Sequence, residues 1–251
     1  MEIKSFAKVN IFLKIVDKTP THHILASRFA KVNSLFDTIS FEKKDSNEFE
    51  LYGNFDCDTT QNTIFKAYLE LVKNSPKAQD FFGEFRICVE KKIPQFAGLG
   101  GGSSNAAAIL SFVNKYLDLQ IERSKLANMA KNIGADVPYF VYDYKSANVG
   151  GIGENVEEFL EDELSFEIIT PDIKCDTKAV FKQFRDSGKI YPKDLASILF
   201  AQTSKQIVEN YEPLWANDLL APACKLYPQL HEYLQDGWFF SGSGSSFFRI
   251  K

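Results

Sequence analysis

Pro94-Gln95-Phe96-Ala97-Gly98-Leu99-Gly100-Gly101-Gly102-Ser103-Ser104-Asn105-Ala106-Ala107-Ala108 is the stretch on which the reading of this chain turns. Four glycines crowd positions 98 to 102, and an alanine-rich helical run follows the two serines. Glycine loses the most backbone entropy on folding, so a cluster of them needs a reason. One reason is close approach of backbone N–H groups to a ligand, where a Cβ would collide. The helix that follows adds unpaired N–H groups and about half a positive charge at its start. A glycine loop feeding a helix N-terminus is therefore a ready phosphate site. The plain alternative is a flexible linker, but linkers are seldom flanked by a tight apolar strand and an alanine-rich helix. Two familiar phosphate motifs do not fit. Gly188-Lys189 runs on into Ile190, so no G-x-x-x-x-G-K-[ST] string exists, and the G-x-G-x-x-G spacings starting at Gly98 and Gly100 end on Ser103 and Asn105.

Outward from that loop, the bulk properties narrow the function classes. The chain has 251 residues, 45% hydrophobic and 25% charged, an ordinary soluble globular composition with room for one large or two smaller domains. A net charge of −4 offers no basic surface to nucleic acid or to an acidic membrane, so neither is expected as a partner. An anionic substrate must be held by local donors. Cysteines stand at 57, 88, 175 and 224 without C-x-x-C spacing, and only 3 histidines exist, so no Cys/His metal site is expected. Reduced, structural cysteines in a cytoplasmic protein are the expectation. Lys8, Asn10 and Lys14 interrupt the N-terminal apolar residues, which argues against a signal peptide. No apolar run approaches the roughly 18 residues of a membrane span. The 23 phenylalanines read as core filling.

Along the chain, residues 3–16 alternate with period two and predict a strand whose face carries both Lys8 and Asn10. Such a pair is either functional or the solvated face of an edge strand. Strands are predicted over 24–32, 37–43 and 48–52, and a helix over 61–73 capped by Asn62 or Thr63. Residues 84–92 read as the strand that delivers the chain to Pro94. Helices follow over 104–116 and 123–133, with Gly134 at the stop position. Asp136 is a lone carboxylate between that glycine and Pro138, in apolar company. Residues 140–142 and 156–159 look strand-like around the glycines of SANVGGIGE, residues 146–154, which suggests a hairpin or bulge. The acidic region 157–163 is the domain boundary. Beyond it come a strand at 165–170, helices at 177–184, 194–201, 204–211 and 222–235, and two strands joined by a Gly/Ser loop within 238–250.

Three separated segments resemble the motif set of the small-molecule kinases grouped with galactokinase, homoserine kinase and mevalonate kinase, the GHMP kinases. AKVNIFL (7–13) is similar to their first motif, PQFAGLGGGSSNAAA (94–108) to the phosphate-cradling second, and FSGSGSSFF (240–248) to the C-terminal third. The resemblance spans residues 5–248. Asn105 after two serines, GADVPYFV (134–141) and a histidine following the first strand resemble the members that phosphorylate a cytidine-diphosphate-linked methylerythritol on the non-mevalonate isoprenoid route. Sister kinases of homoserine or mevalonate type and a non-catalytic nucleotide-binding relative are the rival readings.

That resemblance implies an α+β, two-lobed GHMP kinase fold. Residues 1–158 would form the nucleotide-binding and catalytic lobe, ribosomal-protein-S5-domain-2-like, and residues 159–251 a ferredoxin-like substrate lobe. It implies Lys8 and Asp136 as the catalytic pair. Pro94, Gln95, Phe96, Ala97, Gly98, Leu99, Gly100, Gly101, Gly102, Ser103 and Ser104 would bind ATP, with Lys91 and Asn62 near the nucleotide. Asn10, His22, His23, Thr177, Phe181 and Gly242 would touch the substrate, His23 reading the cytosine edge. ATP is the implied co-substrate, with Mg2+ expected alongside it and no resident metal site. The chain departs from the family at His22, where an aromatic residue is usual, and in the loop TPTHH (19–23), which lacks the usual Asp-Gly. Many relatives also continue further past the third motif.

The residue types suit phosphoryl transfer, which asks for an in-line hydroxyl, a held γ-phosphate and balanced charge. Amides at 98–102 can hold phosphates in place of a P-loop lysine, and Ser103 or Ser104 can give a hydroxyl to Mg2+. Asp136 can accept the hydroxyl proton or simply orient it, and Lys8 can keep that carboxylate ionised and steady the alkoxide.

Overall fold

A computed structural model describes residues 1–235 and 237–251. The chain forms two compact units interleaved along the sequence. One comprises Met1–Ala7, Leu35–Ile93 and Gly101–Asp143, the other Lys8–Ser34, Pro94–Gly100 and Tyr144–Lys251. Neither follows a single cut near residue 158. The first strand, β1 (Glu2–Lys18), and the second, β2 (His23–Lys43), each run through both.

In the first unit β2 pairs antiparallel with β4 (Phe85–Glu90) over 38–43, and β3 (Leu51–Gly53) pairs parallel with β4. Five helices belong to this unit: α1 (Thr63–Asn74), α2 (Pro76–Glu84), α3 (Gly101–Tyr116), α4 (Arg123–Lys131) and α5 (Val137–Tyr142). The Asn62 side chain accepts from Ile64 N–H at 2.9 Å and caps α1, whose Ile64, Ala67 and Leu71 face inward. Pro76 at the first turn starts α2, which the sequence did not announce. The phenylalanines do fill this core. Phe41 stacks on Phe112 at 4.4 Å between ring centres and meets Phe81 edge-on at 5.5 Å.

In the second unit β1 turns into β2 through residues 19–22, and β2 pairs antiparallel over 25–30 with β5 (Ser146–Gly151). A hairpin joins β5 to β6 (Asn155–Glu158), with Gly151 and Gly153 at positive φ in its turn, as the glycine cluster suggested. β7 (Phe166–Ile169), β9 (Phe247–Ile250) and β8 (Phe239–Phe240) form a three-stranded antiparallel sheet in that order. Around it lie α6 (Thr177–Arg185), α7 (Lys193–Ala201), α8 (Ser204–Asn210), α9 (Pro213–Ala216) and α10 (Leu220–Leu226). Asp176 caps α6, and Thr203 with Gln206 forms a capping box on α8. All four cysteines are free, with Cys175 and Cys224 buried in this unit's core.

Several expectations are corrected. The strands predicted at 24–32 and 37–43 are one continuous β2. The strand at 48–52 shortens and shifts to Leu51–Gly53. α3 begins at Gly101, so two glycines taken for loop lie in its first turn. Residues 140–142 are helical, because Pro138 opens α5 and a short buried helix shows no amphipathic period. Gly134 does not adopt the left-handed stop conformation. The helix expected over 222–235 ends at Leu226, and Pro228–Tyr233 winds as a 3-10 turn. Among the described residues no helix is long and apolar enough to cross a membrane.

Candidate active site

In the second unit residues of all three motif segments, 8–13, 94–100 and 240–248, meet around Lys8. Lys8 and Asn10 share the expected face of β1, but that face is not solvated: the residues are 3% and 2% exposed. Lys8 Nζ donates to Asn10 Oδ1 at 2.5 Å and to the Gly98 carbonyl at 3.1 Å, and lies 4.5 Å from the Phe29 ring centre. A buried ammonium is tolerable only with such partners. Asn10 N–H donates to Ser241 Oγ at 3.2 Å, and Ser241 Oγ donates to the same Gly98 carbonyl at 2.9 Å.

The loop 94–100 is anchored through its acceptors. Four successive carbonyls are engaged: Phe96 by Cys175 N–H, Ala97 by Ser246 N–H, Gly98 as above, and Leu99 by Lys8 N–H. Phe96, Gly98 and Gly100 hold positive φ values of 55°, 73° and 72°. Gly98 is obligatory for a second reason, since a Cβ there would stand 2.0 Å from the Ser241 carbonyl oxygen. Gly242, at φ 58°, approaches the loop from the other side; its Cβ would lie 3.2 Å from the Gly98 carbonyl oxygen and 3.3 Å from Asn10 Oδ1. Pro94 and Gln95 are half-buried at the entrance to the loop.

The aromatic candidates of this unit also assemble. His23 is 7% exposed and stacks on Phe181 with ring centres 5.5 Å apart, while Phe184 meets it edge-on at 5.6 Å. Burial, then the nearby positive charges of Arg185 and Lys18, hold the His23 pKa below its usual value. The ring is therefore neutral at pH 7, with one nitrogen donating and one accepting. Thr177, the first residue of α6, shares a 2.8 Å hydrogen bond with Ser243. His22 is not part of this group; it is exposed, with Nδ1 2.8 Å from Thr21 Oγ1.

In the first unit the start of α3 rests on a buried polar network. Ser5 Oγ donates to Ser104 Oγ at 2.7 Å and accepts from Asn105 Nδ2 at 2.9 Å. Asp37, fully buried, pairs with Lys91 and accepts from Asn105 Nδ2 and from the N–H groups of Lys92 and Ile93. Lys91 Nζ also donates to Asn105 Oδ1 at 3.0 Å. Gly101 gives Lys91 its room: a Cβ there would come within 3.4 Å of the ammonium nitrogen and 2.8 Å of Ile93. Thr63, next to the capping Asn62, donates to the Gly102 carbonyl at 2.6 Å. Ser103 is half-buried and Ser104 buried. Asp136 is half-buried at the N-cap of α5, and its side chain does not cap that helix.

Asp37, Ser27, Phe184 and Ser241 were not singled out from the sequence. Ser241 lay within the third segment. Phe184 lay on the apolar stripe of α6. Asp37, at the start of the alternating run 37–43, and Ser27, inside the run 24–32, left no local signal.

Comparison with known proteins follows the same lines. Residues 62–144 match the family model described as the GHMP kinases N terminal domain. The chain is 44% identical to the 4-diphosphocytidyl-2-C-methyl-D-erythritol kinase of Sulfurimonas denitrificans, over 99% of this chain and 96% of that one. A crystal structure of a 4-(cytidine 5'-diphospho)-2C-methyl-D-erythritol kinase is similar throughout, with a TM-score of 0.76, 28% identity, and coverage of 100% of this chain and 90% of that one. The Methanococcus jannaschii mevalonate kinase shares the fold, with a TM-score of 0.58 at 14% identity over 100% of this chain and 90% of that one.

Proposed function

The chain belongs to the family of 4-diphosphocytidyl-2-C-methyl-D-erythritol kinases, and we propose that it transfers the γ-phosphoryl group of ATP to the 2-hydroxyl of that cytidine-diphosphate-linked polyol, a step of non-mevalonate isoprenoid precursor synthesis. The observation that supports this most is the buried cluster of Lys8, Asn10, Gly98 and Ser241. A loop anchored by its carbonyls suits one that presents N–H groups to phosphate.

In this reading residues 94–104 cradle the ATP phosphates, and Lys91 and Asn62 shape the nucleotide side. Asp136 orients the acceptor hydroxyl and takes its proton. Lys8 balances that carboxylate and the alkoxide that develops. Asn10 and Gly242 orient the polyol. His23, stacked on Phe181, offers a donor and an acceptor to the cytosine edge, Thr177 borders the cytidine, and His22 supplies a peripheral contact. Residues 1–158 thus carry the nucleotide-binding and catalytic groups, and residues 159–251 complete the substrate side.

Mg2+ would accompany ATP as a hard ion taking oxygen ligands, most of them phosphate and water. The donor set fits with one hydroxyl. Ser104 already accepts from Ser5 and is buried, so Ser103 is the residue assigned to it. When bound, the ion spreads phosphate charge. The partner is a small molecule, with neither nucleic acid nor membrane required, and the working compartment is the cytoplasm.

The test is turnover by the purified protein with ATP, Mg2+ and the cytidine-diphosphate polyol, followed by 31P NMR. A new phosphomonoester signal is expected, with homoserine and mevalonate inert. Product from either of those and none from the polyol defeats the proposal.

A further inference from the structure

We propose that Ser27 is a positioning residue for phosphoryl transfer, its hydroxyl locking the Asn10 carboxamide in the orientation that presents Oδ1 to Lys8. The inference rests on the function proposed above and adds a residue outside the three motif segments. Ser27 lies on β2 and is fully buried. Its one hydroxyl proton goes to the Phe12 carbonyl at 2.5 Å. What it has left is an acceptor, and Asn10 Nδ2 donates to it at 2.9 Å.

A carboxamide has a donor end and an acceptor end of nearly the same shape, so only its partners decide which way it points. Turned over, Asn10 would set Oδ1 against a hydroxyl oxygen whose proton is spent, and its NH2 group against the Lys8 ammonium. Both contacts repel. With Ser27 in place, Oδ1 receives Lys8 Nζ at 2.5 Å. The backbone of Asn10 is fixed separately, through its N–H to Ser241 Oγ. The side-chain torsion is the freedom that remains, and Ser27 removes it. Asn10 Oδ1 and the Gly98 carbonyl then both help to hold the direction in which Lys8 points. The side-chain bonds of Ser27 go to β1 and not to the loop 94–100, so nucleotide affinity should not depend on it.

The experiment compares the parent chain with Ser27→Ala and Ser27→Thr, measuring kcat and both KM values alongside the side-chain amide signals of Asn10 by 1H–15N NMR. Ser27→Ala should lower kcat about tenfold, the scale of one buried hydrogen bond, and leave KM for ATP within about twofold. Its Asn10 amide pair should shift or split. Ser27→Thr keeps the hydroxyl and should hold kcat within about threefold of the parent. Should Ser27→Ala fail to fold, Ser27→Cys, close in volume and a much weaker partner, carries the same expectation. An unchanged amide pair overturns the proposal even in a chain that turns nothing over. So does a kcat within twofold of the parent, or a Thr variant as slow as the Ala one. A parent chain without turnover on the polyol counts against the function itself, and the amide signals still decide the role of Ser27.

Discussion

Gly98→Ala separates a glycine required by its surroundings from one required only by its backbone. Gly98 and Gly188 have nearly the same positive φ, 73° and 68°. An alanine at either pays for a left-handed backbone, roughly 1–2 kcal/mol. Around Gly188 no heavy atom lies within 4 Å of the added Cβ. At Gly98 the Cβ would sit 2.0 Å from the Ser241 carbonyl oxygen, 2.9 Å from its carbon and 3.1 Å from Gly244 N. These are backbone atoms, so a side chain cannot swing away to relieve the clash. Moving Ser241 far enough loosens its bonds to Asn10 N–H and the Gly98 carbonyl, each worth about 1 kcal/mol. The sum for Gly98→Ala is about 3–4 kcal/mol, against roughly 1–2 for Gly188→Ala. For a chain of this size each kcal/mol shifts Tm by roughly 2–4 °C. Differential scanning calorimetry should therefore show Gly98→Ala melting about 6–16 °C below the parent and Gly188→Ala only a few degrees below. Turnover should fall at least about a hundredfold in the first, because the Gly98 carbonyl that helps hold Lys8 is displaced, and persist in the second. Equal melting points with turnover retained in both would refute the claim that loop 94–100 and the third glycine segment are packed backbone to backbone.

Asp136→Asn or Lys8→Ala should each cut turnover about a hundredfold or more while ATP still binds; an Asn variant with near-full kcat removes Asp136 from the chemistry. His23→Ala should raise KM for the cytidine substrate far more than KM for ATP, and equal effects on both would argue against a cytosine contact. Burial lowers the His23 pKa, so below about pH 6.5 the unfolded chain takes up a proton that the folded one resists. Stability should fall as pH drops from 7 through that window, and His23→Phe should flatten this part of the Tm–pH curve; an unchanged slope removes His23 as its source. Glu161 stands 3.8 Å from the fully buried Arg28, whose pKa burial pushes down to about 10, and accepts from Ser146 and Ser204. Glu161→Ala should cost about 3–5 kcal/mol by leaving that guanidinium without its anion. Glu84→Ala, which breaks a pair with the exposed Lys43, should move Tm by less than about 3 °C; similar losses in the two would contradict the weight given to burial.

The parts of the fold that could be read from the sequence are those that break a local rule. Lys8 and Asn10 interrupt an apolar strand, glycines cluster where a chain rarely wants them, and Asn62 sits where a helix needs a cap. Each violation marked a place that the structure uses, and so the glycine loop, β1, the β5–β6 hairpin and the C-terminal strand pair were legible. Errors fell where local pattern is silent. The polar step at Asn33 and Ser34 looked like a break between strands, yet pairing at 25–30 with β5 and at 38–43 with β4 carries β2 straight through it. Residues 140–142 looked like a strand because a short buried helix and a short buried strand are both unbroken apolar runs.

The residues that brace the candidate site were the hardest to find, and for a physical reason. Ser27 meets Asn10 only because β1 and β2 fold back on each other, and Asp37 reaches Lys91, Lys92 and Ile93 across 54 to 56 positions of sequence. A serine inside a strand and an aspartate at the start of one violate nothing locally. Their importance lies in register and burial, which belong to the folded chain. Reactive groups declare themselves because they are costly where they stand, whereas orienting groups make those costs bearable and so look ordinary. By the same logic an orienting residue is fully buried, small and polar, bonded to a group assigned to the chemistry, and ordinary in its local sequence.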